Sequence, residues 1–180
     1  MASGLDRLLA RLVSVDEGEA EWPGGMRLRI RGYLTEETPP LRSVSSVRAV
    51  VLRGERVLVF RDRGGRAHLL PGGRREGDEP VEATLRREVR EETGWEIGQP
   101  RRLGFIHFRH LTPKPPGYAY PYPDFVQLVY AAEAERNTPD APIADEWVVA
   151  SALVPIADAR RLEIARGERL FLEQALRQRG

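Results

Sequence analysis

Residues 73–95 read GRREGDEPVEATLRREVREETGW, a glycine-rich turn followed by a helix that gathers Glu88, Glu91 and Glu92 in its last two turns. Negative charge at a helix C-terminus opposes the helix dipole. Pro80 is tolerated in a first turn, and Gly94 is suited to the residue just past the end. At 100° per residue, Val81, Leu85 and Val89 fall about 20°, 60° and 100° from Glu88 and form an apolar stripe. Glu92 falls at about 40° and Glu91 at about −60°. Glu88 and Glu92 therefore lie on the edge that faces protein, with Glu91 beside it. Ion pairs on a solvated face account for Arg87 with Glu91, four residues apart. They do not account for Glu88 with Glu92, which repel at the same spacing. A bound divalent cation resolves both costs, and hard Mg²⁺ prefers carboxylate oxygens. The glycines of PGGRREGDE (residues 71–79) let the backbone approach a ligand closely.

The fixed positions add a second line of argument. Gly73 is followed by five residues and Glu79, then by seven and Arg87-Glu88, with Val89, Glu91-Glu92, Gly94 and Trp95 after them. This stretch resembles the Nudix box, G-x5-E-x7-R-E-U-x-E-E-x-G-U with U a bulky apolar residue; Trp95 departs mildly, since U is usually aliphatic. The resemblance implies an α+β fold, a Nudix-like α/β/α sandwich with a mixed β-sheet. It implies a hydrolase of nucleoside diphosphates linked to another moiety, using Mg²⁺ or Mn²⁺. On the same basis Glu88, Glu91 and Glu92 are metal ligands, with a backbone carbonyl near Gly72 or Gly73 completing a shell. Arg87 orients a glutamate and Glu79 sits near the metal. Glu88 and Glu91 are also candidates for the general base, with Glu135, Asp145 and Glu146 in a later polar loop. The alternative is a Nudix-fold nucleotide-binding or regulatory module without hydrolysis. The complete carboxylate set argues against it.

Around the box the sequence alternates strand and loop. MRLRIRGYL (26–34) places Met26, Leu28 and Ile30 on one side and Arg27, Arg29 and Arg31 on a wet face. VRAVVL (47–52) and RVLVF (56–60) read as a hairpin. AHLL (67–70), RRLGFIHFRHL (101–111), FVQLVYAAEA (125–134) and EWVVA (146–150) read as further strands, and GERLFLEQALRQR (167–179) as an amphipathic helix. Ser3 can cap a first helix, whose stripe is Leu5, Leu8, Leu9 and Leu12; EWPGG (21–25) breaks it. With the double proline at 39–40, these signs divide the chain into a helix/strand extension, residues 1–42, and a Nudix domain, residues 43–180. The leucine stripe needs burial, on its own core or on a second subunit, and a homodimer is expected.

Flanking segments offer substrate contacts. Arg61, Arg63, Arg109 and Lys114 are candidate phosphate ligands. In TPKPPGYAYPYPD (112–124) the tyrosines alternate, so Tyr120 or a neighbour can stack on a flat group. His68 precedes the turn as a packed or solvent-edge residue, with contact to substrate as the alternative. His107 and His110 are three apart on a strand and make a poor metal pair.

The composition excludes several classes. With 41% apolar and 31% charged residues, the chain is globular rather than disordered. A net charge of +1 gives no general pull toward bulk nucleic acid or a membrane surface. With no cysteine there are no disulfides and no thiol chemistry. No apolar run approaches the ~20 residues of a membrane span. The N-terminus lacks a leader's apolar core, so a cytoplasmic location is the default expectation. The expected partner is a small nucleotide-derived substrate.

Overall fold

A computed structural model describes residues 3–138 and 148–179. Its elements are helix α1 (Gly4–Leu9), strands β1 (Asp16–Trp22), β2 (Met26–Leu34), β3 (Val44–Arg53), β4 (Arg56–Asp62) and β5 (Ala67–His68), and helix α2 (Val81–Thr93). Strands β6 (Trp95–Ile97), β7 (Arg101–His110), β8 (Asp124–Asn137) and β9 (Val148–Pro155) follow, then α3 (Ile156–Ala159) and α4 (Arg166–Arg177). The sheet runs β1-β2-β7-β8-β3-β4-β5, with β6 added to β8 and β9 to β4. It is mixed, because β3 and β8 pair in parallel while their other neighbours are antiparallel.

The parallel pair lies at the centre and is covered on both faces, which is why both strands read as apolar runs. Val47, Ala49 and Val51 of β3 join Val126, Leu128 and Tyr130 of β8 in a core capped by Leu85 and Val89 of α2. The intervening Val50 and Leu52, with Val129 and Ala131, pack on Phe171, Leu172 and Ala175 of α4. Two helices thus sandwich one sheet. β4 meets β3 only near the hairpin, at Leu52–Val57 and Arg53–Arg56. Further along, β5 pairs at Phe60 and Arg61, on the edge of β4 opposite β9.

Residues 3–42 enter this same body. Ser3 and Asp6 cap α1 reciprocally. Leu5 and Leu8 are buried in the α2-side core, with Leu9 and Leu12 packed against it, so the stripe is covered within the chain. β2 pairs with β7 from Leu28–His110 to Leu34–Gly104, and Tyr33 stacks on Phe105 at 5.0 Å. Gly104 is required there, because a Cβ would meet the Tyr33 carbonyl oxygen at 1.9 Å.

Besides β6, a three-residue strand that the sequence reading did not mark, two elements differ from it. Residues 16–22 form a strand, although EWPGG suggested only a break; Gly24 and Gly25, both with positive φ, make the hairpin turn into β2. The strand carries acids instead of apolar residues on its outer face. Glu17 and Glu19 there meet Arg31, Arg27 and Arg29 of β2. Exposed pairs of this kind add little stability, and their value is in register. The second is α3, a single turn too short to leave a periodic pattern. Asp145 and Glu146 lie outside the described residues.

Leu8→Ala is expected to cost about 2–5 kcal/mol, the range for emptying a buried leucine site. Urea unfolding should show one transition shifted to lower denaturant. A separate early transition for the N-terminal segment would contradict its place in the shared core.

Candidate active site

The turn before α2 is fixed to β3 by its backbone. Ala49 N–H donates to Pro71 O at 3.0 Å, Val47 N–H to Gly73 O at 2.9 Å, and Arg75 N–H to Ser45 O at 3.3 Å. Gly72 has φ 136°, and a Cβ there would lie 2.2 Å from the Val47 carbonyl oxygen. At Gly73 a Cβ would meet Glu88 Oε2 at 2.1 Å. Both glycines are therefore set by close approach, one to a strand and the other to a carboxylate. α2 then begins after Pro80 and ends at Gly94, which takes the left-handed conformation at φ 74°.

Arg87 is the hub of the glutamates. Its Nε and Nη2 donate to the two oxygens of Glu79 at 3.0 and 2.9 Å. Its Nη1 donates to Glu88 Oε1 at 2.9 Å and to Glu91 Oε2 at 3.1 Å, and Nη2 also reaches Arg74 O at 3.2 Å. One guanidinium thus faces three carboxylates, and negative charge is in surplus. The fork of Arg87, with help from Thr84 Oγ1, holds the Glu79 carboxyl down at a pKa of about 2. Burial pushes the Glu88 carboxyl up, against the pull of Arg87, and the charge of Glu91 adds to the rise. Glu92 is buried, and its Oε2 accepts Gly72 N–H at 2.6 Å. Among the described residues, no three carboxylate or imidazole groups close into a metal cage. Gly73 O already accepts one N–H, which leaves it a second lone pair.

A cleft of about 650 Å³ lies on the α4 side of the sheet, lined among others by Trp22, Arg48, His68, Arg74, Gln127 and Phe171. Arg48 ties it to the box, for it lines the cleft and its charge also acts on Glu88. Arg74 does so through the chain, since its carbonyl accepts from Arg87. His68 stacks on Phe60 and sits between Glu168, 3.1 Å from Nδ1, and Asp62, 3.2 Å from Nε2. The Glu168 hydrogen bond, ahead of the Asp62 contact, raises the imidazole pKa against the cost of burial.

The other expected contacts are distributed differently. Tyr120 is brought to the box, where the Arg74 guanidinium lies 4.3 Å over its ring. Tyr118 donates to or accepts from His110 Nε2 at 3.0 Å, which anchors the same loop. Arg109 is held by Asp124, Arg61 donates to Gly65 O, and Arg63 and Lys114 are exposed; none of the four lines the cleft. Glu135 lines a separate groove with Arg86, Arg87 and Arg90. His107 and His110 are both buried, bonded to Asp124 and Tyr118 respectively, and do not meet. Sequence reading passed over Arg48 and Gln127. Each interrupts an apolar strand run, VRAVVL and FVQLVYAA, and that interruption was the available clue.

A family model for the NUDIX domain matches residues 42–175. The fold is similar to that of the Bacillus subtilis pyrophosphohydrolase BsRppH, with TM-score 0.61 and 19% identity over 91% of this chain and 98% of that one. A NUDIX hydrolase from Nitrosomonas europaea gives TM-score 0.57 and 19% identity over 73% and 87%. The NUDIX domain of Shewanella oneidensis NrtR, solved with ADP ribose, gives 0.56 and 21% over 77% and 89%. No curated protein matches the chain. The helix-sheet-helix layers, the box on α2 and a family model spanning most of the sequence agree: the chain belongs to the NUDIX family.

Proposed function

We propose that this protein is a divalent-metal-dependent hydrolase that cleaves the pyrophosphate bond of a nucleoside diphosphate linked to another moiety. The observation that carries this reading is the surplus of carboxylate on Arg87: Glu88 and Glu91 share one Nη1, and Glu88 is pressed against Gly73. Their oxygens are the donors a hard cation takes, and the raised pKa of Glu88 is the strain that a cation relieves. Glu88, Glu91 and Glu92 are the proposed ligands of Mg²⁺ or Mn²⁺, with Gly73 O beside them. When bound, the metal polarises phosphoryl oxygens and lowers the pKa of a coordinated water.

The chain's own groups do the rest. Arg87 holds Glu88 and Glu91 in place and is itself fixed by Glu79 through two hydrogen bonds. Glu92 fastens Gly72 and so keeps the turn within reach of the glutamates. Arg48 and Arg74 bring positive charge to the cleft side, where a pyrophosphate needs it. The test is product release from a panel of nucleoside diphosphate derivatives, with Mg²⁺ and with excess chelator. Binding without turnover on the whole panel would favour the regulatory reading instead.

Glu88→Gln and Glu92→Gln are each expected to lower kcat/KM by about 10²-fold or more, the scale for losing a strong electrostatic contributor. Full activity of either variant, or of the wild type in excess chelator, would sink the metal assignment. Stability separates the two jobs of Glu92. Glu92→Ala leaves the Gly72 N–H unpaired in a buried place and should cost about 1–3 kcal/mol in urea titrations. Glu92→Gln keeps an acceptor oxygen and should cost clearly less.

Glu79 gives a pH signature. Its folded pKa, about 2, lies below its ordinary 4.5, so its stabilising effect is complete above pH 4.5 and fades as pH falls toward 2. Wild type should lose stability across that window more steeply than Glu79→Gln. Parallel curves for the two proteins would show that the Arg87–Glu79 fork does not matter to folding.

A further inference from the structure

The cleft lies where α4 stops covering its face of the sheet. Under the helix, the strand positions on this face are Val50 and Leu52 of β3 and Val129 and Ala131 of β8, all buried. One step further along each strand, toward the box, they become Arg48 and Gln127. An apolar run that turns polar on its inner face leaves a floor that a second layer of side chains cannot fill cheaply. No described residue hydrogen-bonds the Gln127 amide, which is half-buried between the buried Phe125 and Val129 of its own face.

The walls come from two distant parts of the chain. One is the first turn of α4, with Ala165 and Glu168. The other is the β1–β2 hairpin, which lies before the segment matched by the family model. The hairpin supplies Trp22 and Ile30, both half-buried, so each keeps apolar surface toward the cleft. Trp22 is steadied by Phe108 at 5.6 Å and Phe125 at 6.2 Å, ring centroid to ring centroid. Asp16, at the start of the hairpin, pairs with Arg166 of α4 at 3.4 Å and so joins the two walls.

We propose that this cleft is a binding site for a planar heteroaromatic base, with the indole of Trp22 as its apolar wall and the Gln127 amide as its polar reader. It rests on the hydrolase reading for its direction: the base lies in the cleft and the phosphates run past Arg48 and Arg74 to the glutamates. The chemistry fits each part. A base has two apolar faces and a polar edge, and an aromatic wall with one amide answers both. An amide carries a donor and an acceptor side by side, so it can pair with an edge that carries the complement. The hairpin is therefore a specificity element of this chain, added outside the matched domain.

The experiment is calorimetric binding to the full chain without divalent metal, using the adenosine, guanosine, cytidine and uridine 5′-monophosphates, with ribose 5-phosphate as the baseless control. At least one nucleotide should bind about tenfold or more tightly than the control. Trp22→Ala should remove about tenfold of that affinity and leave ribose 5-phosphate unchanged, and Trp22→Phe should restore most of it. Gln127→Ala breaks no hydrogen bond to a described residue, so its melting temperature should nearly hold while the ranking of the four nucleotides changes. Equal binding of control and nucleotides, or folded Trp22→Ala and Gln127→Ala variants with wild-type affinity and ranking, would overturn the proposal. A base preference in a protein that hydrolyses nothing would support the cleft and remove the hydrolase reading alone. Hydrolysis with no base preference would do the reverse.

Discussion

Parallel pairing of β3 with β8 is the constraint on which the layers depend. A parallel pair buried on both faces must serve two cores at once, and successive residues do so in alternation. Val47 backs the α2 side and, through its N–H, holds the Gly73 carbonyl. Arg48, the next residue, opens into the cleft on the other side. One strand therefore sets both the turn that carries the glutamates and the floor beside it. A slip of one residue in that register would exchange the two faces and undo both.

The charges of α2 answer the cost that a C-terminal cluster of glutamates imposes. The helix dipole opposes them, yet Arg87 lies among them and shares its donors between Glu79, Glu88 and Glu91. Its fork on Glu79 is the best-made of these contacts, and this leaves only Nη1 for the other two. Arginine suits the position because a planar fork can hold one carboxylate on two donors and still present a third. A lysine could not divide itself in that way.

What could be read in advance was local. The spacing of the box, Pro80 at the start of α2 and Gly94 at its end are neighbours in sequence, and the helix runs between them as the pattern requires. β1 escaped notice because its outward residues are acids that pair with arginines of β2, although Glu17, Glu19 and Glu21 do alternate with Gly18, Ala20 and Trp22. The cleft was not legible from pattern. It depends on where α4, about 120 residues past Arg48, happens to stop covering the sheet. The partner of Tyr120 was hidden for the same reason: the tyrosine was a candidate for stacking, but nothing nearby in sequence pointed to Arg74.

Glu168 has a consequence for how the molecule comes apart. One of its oxygens accepts Leu69 N–H at 2.6 Å and the other meets His68, so the first turn of α4 is tied to the chain just ahead of Pro71 and the paired glycines. The first turn of α4 is in this way a brace for the turn that faces the glutamates. Lifting α4 from the sheet exposes Phe171 and Leu172 and removes that brace in the same motion, leaving the turn to its bonds with β3. Local opening of α4 is thereby coupled to the geometry of the box.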